Sequence, residues 1–239
     1  MVKNKKKAFL AAAVLFALVI GCGLYVGDYY RAEDTAFLVP ESVSVEQRDD
    51  RMVFAPKEAF AGLIFYPGGK VAVEAYAPLM KSLAEEGITC VLLEMPLNLA
   101  VLDSNAAEGI DEILPNVERW YVGGHSLGGA MAASYAAEHV EEVEGLILLA
   151  AYSTKDLTNS GLDVISIYGS EDQVLNRQSY EQNRTNLPDN AVEVIIEGGN
   201  HAQFGDYGVQ EGDGTATIGG EEQLNQTKEK IAHFIFGKS

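Results

Sequence analysis

Short runs of almost unbroken apolar residues, separated by segments with helical spacing, restrict this chain to very few folds. Ala61–Tyr66, Ile88–Met95, Arg119–Gly123, Val143–Ala150, Asp163–Tyr168 and Ala191–Ile196 read as strands. Strands without polar alternation are buried on both faces, which means a mostly parallel sheet covered by helices on both sides. The helical segments fall between them: Glu74–Glu86 stopped by Gly87, Leu99–Leu114 stopped by Pro115, Leu127–His139, Arg177–Asn186 and Glu221–Phe236. Val43–Arg48 and Met52–Ala55 read as a hairpin around Asp49-Asp50. In such sheets the chemistry sits at the C-terminal ends of the strands.

The first segment follows different rules. Lys3, Lys5, Lys6 and Lys7 precede an uncharged run of 20 residues, Ala8–Gly27. As a helix that run would rise roughly 30 Å, the thickness of a bilayer's hydrocarbon core. The lysines should stay in the cytoplasm and leave the rest of the chain outside. The sequence therefore divides into a membrane anchor over residues 1–31 and one domain over residues 32–239, with the domain extracytoplasmic. Two alternatives stay open. Ala8–Ile20 has the length of a cleaved signal peptide, and Val19-Ile20-Gly21-Cys22 is similar to a lipobox that would lipidate Cys22.

Composition limits what this domain can bind. Hydrophobic residues make up 47% and charged residues 22%, enough apolar matter for a sizeable core and too much for a disordered chain. Five basic and three acidic residues precede Ala36, which leaves 12 basic and 32 acidic beyond it, a net of −20. Such a domain repels nucleic acid and anionic lipid. Two cysteines, one of them inside the apolar N-terminal run, allow no disulfide within the domain, and Cys90 reads as core. No set of His, Cys, Asp and Glu has metal-ligand spacing. Asp206, Glu211 and Asp213 lack the spacing of a calcium loop and read as a solvated acidic loop.

One short run carries chemistry. Gly124-His125-Ser126-Leu127-Gly128 fits G-x-S-x-G, with a strand before it and a helix after it. A tight strand-to-helix turn crowds the residues on either side of the serine, so glycine is needed there, and the turn lifts the hydroxyl above the sheet. A serine hydroxyl needs a base. Of four histidines, His125 lies inside the turn, His139 ends a helix and His233 sits in the last helix. His201 lies in a loop after the last strand and is the candidate base. Asp172, after the Asp163–Tyr168 strand, is the candidate for orienting that imidazole, with Glu171 and Asp156 as competitors. The order Ser126, Asp172, His201 suits this kind of sheet. The oxyanion donors are expected at the Leu127 amide and in the turn Pro67-Gly68-Gly69-Lys70, at Gly69 with Lys70 next. Tyr66, Lys70, Tyr152, Val174 and Phe204 are candidates for lining the site.

On these residues the chain resembles the α/β-hydrolase superfamily, and within it the alpha/beta hydrolase family 5 branch, which is similar to dienelactone-hydrolase-like enzymes. The matching runs are Tyr66-Pro67-Gly68-Gly69-Lys70-Val71, Gly123–Gly129, Tyr168–Asp172 and Gly199–Gly208, within a resemblance that covers Ser42 to Phe236. The resemblance implies an α/β-hydrolase fold, a mostly parallel sheet with helices on both faces. It also implies a Ser126/Asp172/His201 triad, ester-type hydrolysis of a small acyl substrate, and no cofactor or metal. Only about a dozen residues separate the Val143–Ala150 and Asp163–Tyr168 strands, too few for a large lid. That favours an open site over one for long acyl chains. The same triad would serve a thioester, a lactone or a peptide, and a non-catalytic binding module is the reading from another class.

Overall fold

The computed structural model describes residues 27–34 and 42–237, together with isolated positions 16, 21 and 23. The expected anchor, with its lipoprotein and signal-peptide alternatives, lies almost entirely outside the described residues. Among the described residues no helix is long and apolar enough to cross a membrane.

Eight strands form one sheet: β1 Ser44–Arg48, β2 Arg51–Ala55, β3 Ala61–Tyr66, β4 Ile88–Leu93, β5 Trp120–His125, β6 Gly145–Leu149, β7 Asp163–Gly169 and β8 Val192–Ile196. Their spatial order is β1-β2-β4-β3-β5-β6-β7-β8. The β1–β2 and β2–β4 pairs are antiparallel, and every pair from β4 through β8 is parallel. β3, β4, β5 and β6 are buried at every residue, as their unbroken apolar sequences require. Cys90 lies in this interior, where burial pushes its thiol pKa far up and leaves it a packing residue.

The helices are α1 Ala77–Glu85, α2 Ile110–Ile113, α3 Leu127–Glu138, α4 Arg177–Asn183 and α5 Gly220–Phe236. Leu79, Met80 and Leu83 of α1 share a core with Ile231 and Ile235 of α5 on one face of the sheet. Ala132, Ala133 and Ala136 of α3 pack with Ile110 on the other face. The small side chains of α3 let its backbone come close to the strands beneath it.

One element departs from its pattern. Leu99–Leu114 was expected as a helix, yet it forms a turn of 3-10 helix at Ala100–Leu102, irregular chain, and then only α2. A tertiary bond overrides the periodicity. The Tyr66 hydroxyl donates to the Ser104 carbonyl at 2.8 Å and accepts from the Ala107 N–H at 3.2 Å, which takes two backbone groups a helix would have used. Gly109 then turns left-handed at φ 72° just before α2 begins. Between β6 and β7 no helix intervenes; residues 150–162 form an irregular connection.

Candidate active site

Ser126 stands where β5 ends and α3 begins, in the strained conformation φ 53°, ψ −120°. A non-glycine residue at positive φ costs on the order of 1–3 kcal/mol and persists only where its surroundings force it. Here the backbone packing does so. A Cβ added at Gly124 would lie 2.6 Å from the Tyr66 carbonyl oxygen, and one at Gly128 would overlap the Tyr66 and Pro67 carbonyl oxygens. The two glycines of the motif thus let the elbow sit against the end of β3. Ser126 itself is partly exposed.

The turn after β3 has three amides with different fates. Gly68 N–H donates to the Tyr76 hydroxyl at 3.0 Å, and Lys70 N–H donates to the Asn98 carbonyl at 2.8 Å. Gly69 N–H has no acceptor among the described residues. A Cβ on Gly69 would stand 3.0 Å from Leu127 Cδ2, so this turn lies directly beside the residue that follows Ser126. The Leu127 amide is the first of α3 and has no intrahelical acceptor. Two amides at neighbouring positions are therefore left to bind an oxygen, at the N-terminus of a helix whose dipole favours negative charge.

His201 and Asp172 come together across the loops that follow β8 and β7. His201 Nδ1 and Asp172 Oδ2 are 2.9 Å apart, and both side chains are buried. The other carboxylate oxygen of Asp172 accepts the Val174 and Leu175 amides at 2.9 and 2.8 Å. With both oxygens of the carboxylate accepting, Nδ1 carries the proton and Nε2 is left as an acceptor. The competitors point elsewhere: Glu171 takes the Ser170 hydroxyl, and Asp156 closes a turn on Thr158.

The residues that fix these loops were not legible as functional. Asp213 accepts the Ala202 amide at 2.8 Å with one oxygen, and the Gly214 and Gln173 amides at 2.8 and 3.3 Å with the other. It joins the residue after His201 to the residue after Asp172, so it is no solvated loop acid as its surroundings in the sequence implied. On the other side of His201, the fully buried Gln223 of α5 accepts the Asn200 amide at 2.9 Å and donates to the Asn200 carbonyl at 2.8 Å. Nothing within the 213 or 223 neighbourhoods of the sequence signals this, because each acts on loops far away in the chain.

His125 is buried against His201, with ring centroids 4.4 Å apart. Tyr76 Oη lies 2.8 Å from His125 Nδ1. Since that hydroxyl already accepts from Gly68, its own proton is free to go to Nδ1, which puts the imidazole proton on Nε2. Burial and the neighbouring His201 drive the His125 pKa well below the ordinary histidine value, so the ring stays neutral. The other histidines are remote: His139 stacks on Tyr135, and His233 is exposed on α5.

The five expected lining residues separate, Val174 lying half-buried with its amide on Asp172. Tyr66 and Phe204 are completely buried; Tyr66 holds the 104–107 chain, and Phe204 packs on the His125 ring at 5.6 Å. Neither forms an open surface, a correction that follows from their inward positions at the end of β3 and in the tight turn after His201. Tyr152 is half-buried against Tyr168, Leu175 and Tyr180. Lys70 stays at the oxyanion turn, its Nζ 3.0 Å from the Asp28 carboxylate.

That ion pair belongs to a larger seam. Tyr30 N–H donates to the Lys70 carbonyl and Ala72 N–H donates to the Tyr30 carbonyl, both at 2.8 Å. Glu33 N–H donates to the Asp206 carbonyl at 2.9 Å, and the Tyr30 hydroxyl accepts the Glu211 amide at 3.1 Å. Residues 28–31, which the sequence division put with the anchor, are thus stitched to the domain between the oxyanion turn and the histidine loop.

Residues 62–225 match the alpha/beta hydrolase family, and the chain belongs to it. No curated protein matches the sequence. Among solved structures, Est1E from Butyrivibrio proteoclasticus is 16% identical with a TM-score of 0.57, covering 82% of this chain and 99% of that one. Dienelactone hydrolase from Anabaena variabilis is 15% identical with a TM-score of 0.60, covering 82% and 99%. Carboxyl esterase 2 from Tuber melanosporum is 9% identical with a TM-score of 0.59, covering 86% and 90%. At these identities the likeness is one of fold.

Proposed function

We propose that this hydrolase is a serine hydrolase that cleaves carboxylic esters through an acyl-enzyme. The observation that carries the reading is the buried Asp172–His201 hydrogen bond of 2.9 Å, in a fold that presents Ser126 on a strained strand-to-helix turn. Ser126 Oγ attacks the ester carbonyl while His201 Nε2 takes its proton. The Gly69 and Leu127 amides receive the negative charge that develops on the carbonyl oxygen. The intermediate collapses, His201 returns the proton to the departing alcohol, and the acyl group stays on Ser126. Water, deprotonated by His201, then releases the acid. Asp172 holds the imidazole tautomer and stabilises its protonated form. No cofactor or metal enters these steps.

A fluorophosphonate probe should label Ser126 in the wild type, and Ser126→Ala should lose both labelling and hydrolysis of p-nitrophenyl acetate. A folded wild type that does not label overturns the reading. Parallel rates on esters, thioesters, lactones and peptide amides separate the substrates one triad can serve. A Ser126→Ala variant with unchanged biological activity would favour a binding module.

The 20 uncharged residues behind the lysine cluster support a second part of the proposal, a single-pass anchor with the domain on the extracytoplasmic side. Retention in carbonate-washed membranes supports it. Release by Cys22→Ala would favour lipidation instead, and a shortened, freely soluble mature chain would favour cleavage.

A further inference from the structure

Some exposed large apolar side chains among the described residues are scattered: Phe60 lies in a loop, Ile113 on α2, and Val192 and Ile195 on the edge strand β8. Four others are not. Leu97, Val101 and Leu102 are 53%, 56% and 54% exposed within six residues of chain, and Val209 is 91% exposed in the loop beyond His201. The first three form a ledge beside the oxyanion turn. The Asn98 carbonyl between them holds the Lys70 amide at 2.8 Å, and the Ala100–Leu102 turn packs against α3, which begins at Leu127. Leu97 and Asn98 both adopt positive φ, 56° and 55°. Consecutive left-handed non-glycine residues are a strained way to present leucine to solvent, and such strain gathers at functional positions. Grouped exposed apolar side chains mark contact with a partner or a membrane.

The N-terminal connector names the occupant. Asp28 is the first charge after the uncharged run Ala8–Gly27, and it pairs with Lys70 at the edge of the ledge. The seam continues through Tyr30 to Glu211, two residues from Val209. Residues 28–33 therefore run between the Lys70 turn and the 206–211 loop. An anchor ahead of Asp28 would tether the domain on that side.

We infer that Leu97, Val101, Leu102 and Val209 seat this domain on the membrane interface, so that Ser126 works on esters presented at the bilayer surface. This rests on the serine-hydrolase reading and on the membrane anchor. The acidic groups around the seam, Asp28, Glu33, Asp34, Glu211 and the neighbouring Asp103, make the contact an apolar one that anionic lipid opposes. Without a lid the ledge is a fixed surface, so the substrate is an ester at the interface with a small acyl group rather than a long chain swallowed whole.

The full chain reconstituted in phosphatidylcholine vesicles tests this. Two substrates share the acetyl group: p-nitrophenyl acetate in solution and hexadecyl acetate in the vesicles. The variant Leu97→Ser/Val101→Ser/Leu102→Ser should lose at least about tenfold on hexadecyl acetate and change by less than about twofold on p-nitrophenyl acetate. Val209→Ser, at a side chain that packs on almost nothing, gives a smaller loss of the same selectivity if the triple variant does not fold. In Leu102→Trp, acyl-brominated phosphatidylcholine should quench the new fluorophore while the buried Trp120 is unaffected. Equal losses on both substrates, no loss on hexadecyl acetate, or no quenching overturns the inference, as does a cross-linked dimer through this face. A wild type that hydrolyses neither acetate fails the serine-hydrolase reading instead.

Discussion

The two halves of the site are held in different ways. The half that carries the proposed nucleophile is a backbone structure: β5, the turn and α3 are contiguous, and Gly124 and Gly128 let the elbow touch the end of β3. The proposed acid–base half adds side-chain bridges to its backbone pairing. Asp172 and His201 sit 29 residues apart; Ser170 and Glu171 amides bond the Ile196 and Gly199 carbonyls, Asp213 accepts amides from both loops, and Gln223 fixes Asn200 beside His201. The first half tolerates no added atom. The second is close-packed as well, since a Cβ on Gly169 would overlap the Gly199 carbonyl, but it also depends on individual side-chain hydrogen bonds, each worth about 0.5–1.5 kcal/mol net and more when charged.

Breaking the nucleophile half should have the largest effect. Gly128→Ala puts a methyl into the Tyr66 and Pro67 carbonyls, and no rotamer relieves a backbone clash. We expect loss of probe labelling and either misfolding or a destabilisation above about 3 kcal/mol, measured by urea unfolding. Wild-type stability in this variant would show that the elbow is not backbone-locked.

Within the other half, Asp172→Asn keeps the volume but offers Nδ1 no carboxylate. The imidazole tautomer is then free to reverse, and kcat should fall by about 10³–10⁴. Its thermal midpoint should move far less than that of Gly128→Ala, which is the sharpest contrast between the halves.

Asp213→Ala removes an acceptor from three amides without touching the triad. A loop displaced by roughly 1 Å can cost about 10²-fold in rate, so kcat should drop about 10- to 100-fold with KM little changed. Asp213→Asn keeps one acceptor oxygen and should recover part of the loss. An activity loss that tracks a lowered thermal midpoint, with no rescue by Asp213→Asn, would make Asp213 a general stability residue instead.

The smallest effect concerns His125, which belongs to both halves. Its folded pKa lies well below the unfolded value of about 6.5, so below that pH the unfolded chain binds a proton that the folded one refuses. Stability from this residue is intact above about pH 6.5. It is lost at up to about 1.4 kcal/mol per pH unit as pH falls toward the folded pKa. His125→Asn retains an acceptor for the Tyr76 hydroxyl and cannot titrate. Urea unfolding between pH 7.5 and 5 should be less pH-dependent in the variant than in wild type, and equal slopes would show that His125 does not contribute.

The same division explains what was legible. The strands β3 to β7 stand where their apolar runs put them, because a strand buried on both faces leaves its mark on every residue, whereas the edge strand β8 is exposed at three of its five residues. The elbow was legible for a similar reason: its constraint is local, and glycine is the one residue that meets it. The Leu99–Leu114 helix failed because Tyr66, distant in sequence, captured its backbone groups. Tyr66 and Phe204 flank the motif turns in sequence, yet their side chains are buried in the core. Asp213 looked like one acid among many, since nothing local distinguishes a solvated carboxylate from one that holds two loops.

By itself the sequence determined the layered fold, the place of Ser126 between a strand and a helix, and the glycines that make the elbow possible. These follow from burial on two faces and from steric limits within a few residues. Only the tertiary structure decided which carboxylate meets His201, that the Gly68 and Lys70 amides are already engaged while Gly69 is not, and that residues 28–33 lie between the Lys70 turn and the 206–211 loop. Those outcomes depend on hydrogen bonds between residues far apart in the chain, and such partners are chosen by the packing of the whole domain.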